Sequence, residues 1–416
     1  MPNRRSRRAA GTVWLARYRG RESPRLGPQT PMTKKSWTLI DTDRKVHHDA
    51  ISLGVNDTEI SGSAVHFRRL RGGLRDGVDS LEVDNGKLRT VLLPTRGMGV
   101  WKAWLDDWEI GWKSPVRGPV HPKFVPIGDP TGLGWLDGFD ELLCRCGLSS
   151  NGAPDFNQQG RLTWPLHGRI ANLPAHMLEV ECDREEGQIA VRGVVDECRF
   201  HFLKLRLTST WLTRAGELGF RIIDEVTNLS GTHGEMELLY HINLGEPLLE
   251  PGARIIAPVR TMAPRDAHAA ESLEQWETFP PPKPGFAEQV YLFQLQPGED
   301  GRTHALLRNA GGTRGVSVSF PVAQLPYFIV WKNAVASQDG YVCGLEPAIN
   351  FPNPRSFEER HGRVRKLLPG ETLRFELQFE IHDDAAGVER TERAIYKMQQ
   401  PLTTTLYRKP RAEWSS

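Results

Sequence analysis

Thr372-Leu373-Arg374-Phe375-Glu376-Leu377-Gln378-Phe379-Glu380-Ile381 alternates polar and apolar side chains without a break. A period of two sends successive side chains to opposite faces of the backbone, so this run reads as a half-buried strand. The same reading extends outward to Lys87–Leu93, Gln188–Val195, Phe200–Trp211, Leu218–Val226, Glu235–His241 and Val316–Phe320. The 40 Gly and 30 Pro supply turns between such segments. Amphipathic helical patterns are few, and Gly387–Gln399 is the clearest. The pattern predicts an all-β chain built as a large antiparallel β-sandwich.

With 416 residues and no internal repeat, the chain fits one large β domain with extensions, or two smaller domains. Its hydrophobic fraction of 39% is enough for a large core without disulfide staples. We place the folded domain at residues 36–385, a basic, disordered tail at 1–35, and a C-terminal helix and tail at 386–416. Residues 1–31 hold eight Arg and one Glu, a balance of +7. The formal net charge is +2, so the rest of the chain carries 2 − 7 = −5. That body offers no basic surface for nucleic acid, although the Arg-rich segment could serve as a basic arm. Met32-Thr33-Lys34-Lys35-Ser36-Trp37 reads as an alternative natural start.

The five Cys, at 144, 146, 182, 198 and 343, lack a disulfide-framework spacing. They imply a reducing compartment, and the expected location is the cytoplasm. Cys144 and Cys146 lack a second Cys or His pair at zinc-site spacing, so buried thiols are expected and no metal. No stretch reaches the apolar length of about 20 residues that spans a bilayer. The basic N-terminus also lacks the apolar region of a secretory signal.

Two segments, 113–160 and 258–288, are rich in turn residues and read as long loops, where sites are often carried. Four polar clusters lie beside strand-like runs: Leu92–Gly99, Trp164–Ile170, Leu239–Pro247 and Gly344–Asn350. His241 ends an apolar run, and Glu346 follows Tyr341-Val342-Cys343-Gly344-Leu345. Burying such groups costs several kcal/mol or shifts their pKa, which makes them candidates for proton transfer. Taken singly, neither outweighs a structural role.

Their order in the chain carries more. Asp224-Glu225-Val226-Thr227-Asn228-Leu229-Ser230, followed by Leu238-Leu239-Tyr240-His241-Ile242-Asn243-Leu244, resembles the aldose 1-epimerase (galactose mutarotase) family. In that family the His is the general acid. Leu166-His167-Gly168 resembles its sugar-contacting His-Gly, and Gly344-Leu345-Glu346-Pro347 the strand bearing its general-base Glu. Pro94–Met98, Gly138–Glu141, Cys146–Leu148, His167–Arg169 and Gln324–Tyr327 are similar to a less-characterised, aldose-epimerase-like branch, a domain of unknown function. The resemblance covers about residues 50–385 and implies a galactose mutarotase-like β-supersandwich, with large twisted antiparallel sheets around a concave cleft. The branch departs at Ile242, where the mutarotases carry an aromatic residue. Their sugar-binding Asp has no clear counterpart; Asp266 lies in the matching region.

The resemblance implies a monosaccharide or sugar derivative as ligand, Glu346 as base and His241 as acid, placed on opposite sides of the sugar. Arg96 and His167 are expected to hold ring hydroxyls, and Arg169 and Lys332 to meet an acidic substituent. Mutarotation needs no metal or nicotinamide, so no cofactor is expected. Trp101, Trp104, Trp108, Trp112, Trp135 and Trp164 fall near these motifs and could stack on a sugar or simply pack. Two rivals remain: another sugar isomerase or lyase on the same scaffold, and a non-catalytic carbohydrate-binding protein. Hydrolysis ranks lower, because it usually needs two carboxylates and only Glu346 is marked.

Overall fold

The alternating segments pair into two large sheets, one of ten strands and one of fourteen. The structure, a computed structural model, describes residues 33–400 and 402–416. The proposed basic segment 1–31 lies outside the described residues. The first strand, Lys34–Asp41, begins before the expected domain start at 36.

Thr372–His382 lies inside the ten-stranded sheet, between Gly219–Asn228 and Gly315–Pro321. Its Phe375, Leu377, Phe379 and Ile381 enter the core between the sheets, where Ile242 and Leu345 meet them from the fourteen-stranded sheet. Each such side chain contributes about 1.5–3 kcal/mol on burial. The run Phe200–Trp211 needs correction, since the strand is Lys204–Arg214. Arg199 N donates to Leu203 O and Phe202 N to Arg199 O, so a tight turn removes residues 200–202 from the ladder. Phe200 and Phe202 are 81% and 63% exposed at its tip.

The two predicted loop segments are partly strand. The first contains Leu143–Leu148 and the second Val259–Pro264. Leu143–Leu148 lies beside Gly234–Gly245, followed by Val342–Ala348 and Tyr327–Asn333, near the middle of the larger sheet. Gly234–Gly245 is covered on both faces. Its Leu238, Tyr240, Ile242 and Leu244 face the core between the sheets. Leu239 faces the other way, into a second cluster with Trp112 and with Trp135 and Phe139 from the 113–139 loops. His241 and Asn243 share the face of Leu239 by the two-residue period.

An ion pair ties the two sheets together inside the core. Arg145 Nε donates to Asp224 Oδ2 at 2.5 Å, and its Nη2 reaches Asp224 Oδ1 at 3.0 Å and Ser209 Oγ at 2.8 Å. Tyr240 completes the group, donating its hydroxyl to Asp224 at 2.8 Å. At the C-terminal end, the helix Ala385–Gln399 starts under an Asp384 cap. Its Val388 and Ile395 pack on Ile256 and Leu306. Among the described residues no helix is long and apolar enough to cross a membrane.

Candidate active site

Strand pairing brings the two acid–base candidates together. Leu239 pairs with Ala348 and Ile242 with Leu345, so the register places His241 across from Glu346. His241 Nε2 lies 3.3 Å from Glu346 Oε1, and both side chains are nearly buried. They are therefore neighbours on one wall, not on opposite sides of a sugar-sized gap. Strand geometry explains the difference: directly opposed residues on one face of an antiparallel pair have adjacent side chains.

Asn243 fixes the state of the imidazole. Its Nδ2 donates to Glu141 O at 3.0 Å, so its Oδ1 accepts from His241 Nδ1 at 2.6 Å. Nε2 is left with its lone pair toward Glu346. Burial pushes the His241 pKa down to about 3, and nearby His167 pushes in the same direction. Burial drives the Glu346 pKa well above the usual carboxylate range, with Glu288 adding to the effect. Glu346 Oε1 has no hydrogen-bond partner among the described residues. Gly344 makes room for this carboxyl, because a Cβ there would lie 2.4 Å from Glu346 Oε1.

The pair opens into a cleft of about 530 Å3, a size that suits a small ligand. Phe139 and Trp331 stand edge-on to His241, with ring centroids 5.1 and 5.4 Å away. Trp135 packs 4.7 Å from both Phe139 and His167. Trp135 Nε1, of the same cleft, is likewise buried with no partner among the described residues. Arg265 and Glu288 also line the cleft, paired at 3.2 Å. Trp331 Nε1 holds the other oxygen of Glu288 at 2.7 Å.

The remaining expected site residues divide. His167 lines the cleft and donates Nδ1–H to Asn151 O at 2.8 Å; burial lowers its pKa to about 4. Arg96 does not reach the cleft. Its guanidinium is fully buried against Glu141 at 2.7 Å, and it also donates to Gly138 O and Asn172. It is fully buried and lines neither cleft, so it does not meet a sugar there. Its role is to hold Gly138 and Glu141, and through the Glu141 carbonyl it supports Asn243. Lys332 is also turned away, donating to Gln275 O and Thr278 O. Burial lowers its pKa to about 8. Arg169 lines a different cleft, of about 900 Å3. Asp266 caps the short helix Ala267–Glu271 and pairs with Arg265 instead of lining the cleft.

Of the Trp residues singled out, Trp112 and Trp135 line this cleft and Trp164 the other. Trp331, Arg265 and Glu288 were missed. Isolated residues carry no spacing signal, whereas Asn243 and Phe139 stood inside the quoted motifs.

Comparison with known proteins places this geometry in context. The family model of a domain of unknown function (DUF4432) matches residues 75–381. No curated protein matches the chain. A solved structure from Klebsiella pneumoniae subsp. pneumoniae, described as a candidate aldose 1-epimerase, is 31% identical with a TM-score of 0.87, covering 91% of this chain and 99% of that one. A galactose mutarotase-like protein from Clostridium acetobutylicum shares the fold at 16% identity and a TM-score of 0.51, covering 76% and 98%. A galactose mutarotase related enzyme from Lactobacillus acidophilus is similar at 12% identity and a TM-score of 0.50, covering 73% and 97%.

Proposed function

The chain belongs to the DUF4432 family, within the aldose 1-epimerase (galactose mutarotase)-like superfamily, and we propose that it interconverts the anomers of a monosaccharide or sugar derivative. The observation that carries this reading is the 3.3 Å contact between His241 and Glu346 inside an aromatic-walled cleft. The anomeric hydroxyl and the ring oxygen share one carbon, so a carboxyl and an imidazole side by side serve both atoms.

Burial alone favours a protonated Glu346 and a neutral His241. The pair thus stores one transferable proton. Crossing to Nε2, that proton leaves Glu346 as carboxylate and His241 as imidazolium. Glu346 then takes the proton of the anomeric hydroxyl while His241 donates to the ring oxygen. The bond from C1 to the ring oxygen breaks and C1 becomes a carbonyl. Rotation about C1–C2 and reversal of the transfers close the ring on the other face, restoring both groups. His167, Arg265 and Glu288 line the same cleft and in this reading hold hydroxyls, while the aromatic walls pack on sugar C–H faces. The cytoplasm is the proposed location.

The test is NMR exchange spectroscopy between α and β anomers across a panel of sugars. Glu346→Gln and His241→Asn are each expected to lose at least about 10²-fold in turnover while remaining folded. Full activity in both variants would overturn the assignment. Glu288 brings a second carboxyl to the cleft, which favours another proton-transfer reaction on the sugar as the second reading. Product analysis in the same experiment separates the two.

A further inference from the structure

The larger cleft, of about 900 Å3, is distinct from the proposed active site and shares none of its lining residues. It lies where the turn Arg199–Leu203 meets the segments around Trp164, His233 and Lys366. Its charge is one-sided. Of the carboxylates along it, Asp196 is taken by Arg206 at 2.8 Å and Glu235 by Arg355 at 2.6 Å. Glu197 is buried, and both its oxygens are engaged, by Leu148 N and Ser149 Oγ. Burial raises its pKa, with Arg169 near enough to act in the opposite direction. Arg169, Arg199, Lys204 and Lys366 line the same cleft, and none has an ion-pair partner among the described residues. They gather on a body whose formal charge is negative, −5 outside residues 1–31. Uncompensated cations in a concavity focus a positive field and favour an anion.

The cleft also has an aromatic shelf. Trp164 is half-buried, with the Arg355 guanidinium 5.0 Å from its ring centroid. Arg355 is itself fixed by Ser149 O at 2.8 Å and by Glu235. A rigid indole beside free cations matches a pyranose face carrying an oxyanion. We infer that this cleft is a second ligand site, taking a phosphorylated or sulfated sugar, with Trp164 under the ring and Arg169 and Lys366 on the oxyanion.

Isothermal titration calorimetry on the whole chain at low salt tests this, with glucose 6-phosphate, glucose and inorganic phosphate as probes. Binding of glucose 6-phosphate is expected in the wild type and, unchanged, in Glu346→Gln. It is expected to weaken at least about tenfold in Arg169→Gln/Lys366→Gln. It should also weaken as potassium chloride is raised. Inorganic phosphate is expected to bind more weakly than the sugar ester, and Trp164→Ala to remove that difference. Absence of binding overturns the inference, as does equal binding by the double variant. Loss in Glu346→Gln overturns it too, because the ester would then sit in the proposed active site. Inorganic phosphate binding as tightly as the ester would refute the sugar. Arg169 and Lys366 are exposed, so the double variant is expected to fold; Arg199→Gln/Lys204→Gln repeats the test on separate residues. The binding readout stands apart from anomer exchange, so failure of one leaves the other intact.

Discussion

The two faces of Gly234–Gly245 carry polar groups of opposite character. On the inner face Tyr240 joins Arg145, Asp224 and Ser209 in a closed network. On the outer face His241 meets a carboxyl whose Oε1 is unpartnered, under a Trp135 whose Nε1 is also unpartnered. Both sets are buried, so burial does not distinguish structure from function here. Satisfaction does. The inner network joins the sheets, and the outer groups keep capacity for another molecule.

The sharpest way to break this contrast is Asp224→Ala. It leaves Arg145 buried without its partner, and unfolding in urea is expected to show a loss of about 3–5 kcal/mol. A cost no larger than that of a surface substitution would mean the inner network is not structural.

Gly344→Ala probes the outer face. The added methyl would lie 2.4 Å from Glu346 Oε1, so the carboxyl or the strand must shift. A loss of about 1–3 kcal/mol is expected, together with slower anomer exchange. Unchanged exchange would mean the position of Glu346 does not matter.

The pH dependence of stability sharpens the comparison. The His241 pKa falls from 6.5 to about 3 on folding, so between those values the unfolded chain binds more protons. Stability is then lost as pH falls through that window, by up to about 1.4 kcal/mol per pH unit. His167 acts in the same direction. Glu346 has the opposite sign: its raised pKa costs stability as pH climbs above the usual carboxylate value. Urea unfolding at a series of pH values should show a shallower acid slope in His241→Asn. An unaltered slope would place His241 in a more solvated setting than the structure shows.

Trp331→Phe is the mildest probe. It removes the indole N–H from Glu288 and is expected to cost about 0.5–1.5 kcal/mol, seen mainly as a raised KM. A fall in kcat with KM unchanged would give Glu288 a role in the chemistry.

Much of the fold could be read because strand periodicity is local. Thr372–Ile381 and Val316–Phe320 match their strands almost end to end. The run from Phe200 failed because the turn bonds of Arg199 override its alternation. In the site, His241, Glu346 and His167 line one cleft, but His241 and Glu346 stand side by side on one wall, where the motifs implied opposite sides of the sugar. Arg96 shows why the rest was hidden. Its partners Glu141 and Asn172 lie 45 and 76 residues away, beyond any spacing rule. Lys332 and Arg169 sit beside the right strands and turns but point to other surroundings, which side-chain type alone does not reveal.

The segment His167-Gly168-Arg169 has a wider consequence. His167 and Gly168 both hold left-handed backbone, and a Cβ at Gly168 would lie 2.1 Å from Ser150 O. The turn is pinned to Gly147 from both sides, by His167 O and by Arg169 N. One residue to either side of Gly168, the chain serves a different cleft. A change of backbone here therefore cannot retune one cleft in isolation. Adaptation of either pocket through this segment is constrained by the other, and an engineer seeking a new sugar preference should leave these three residues alone and alter the 113–139 wall instead.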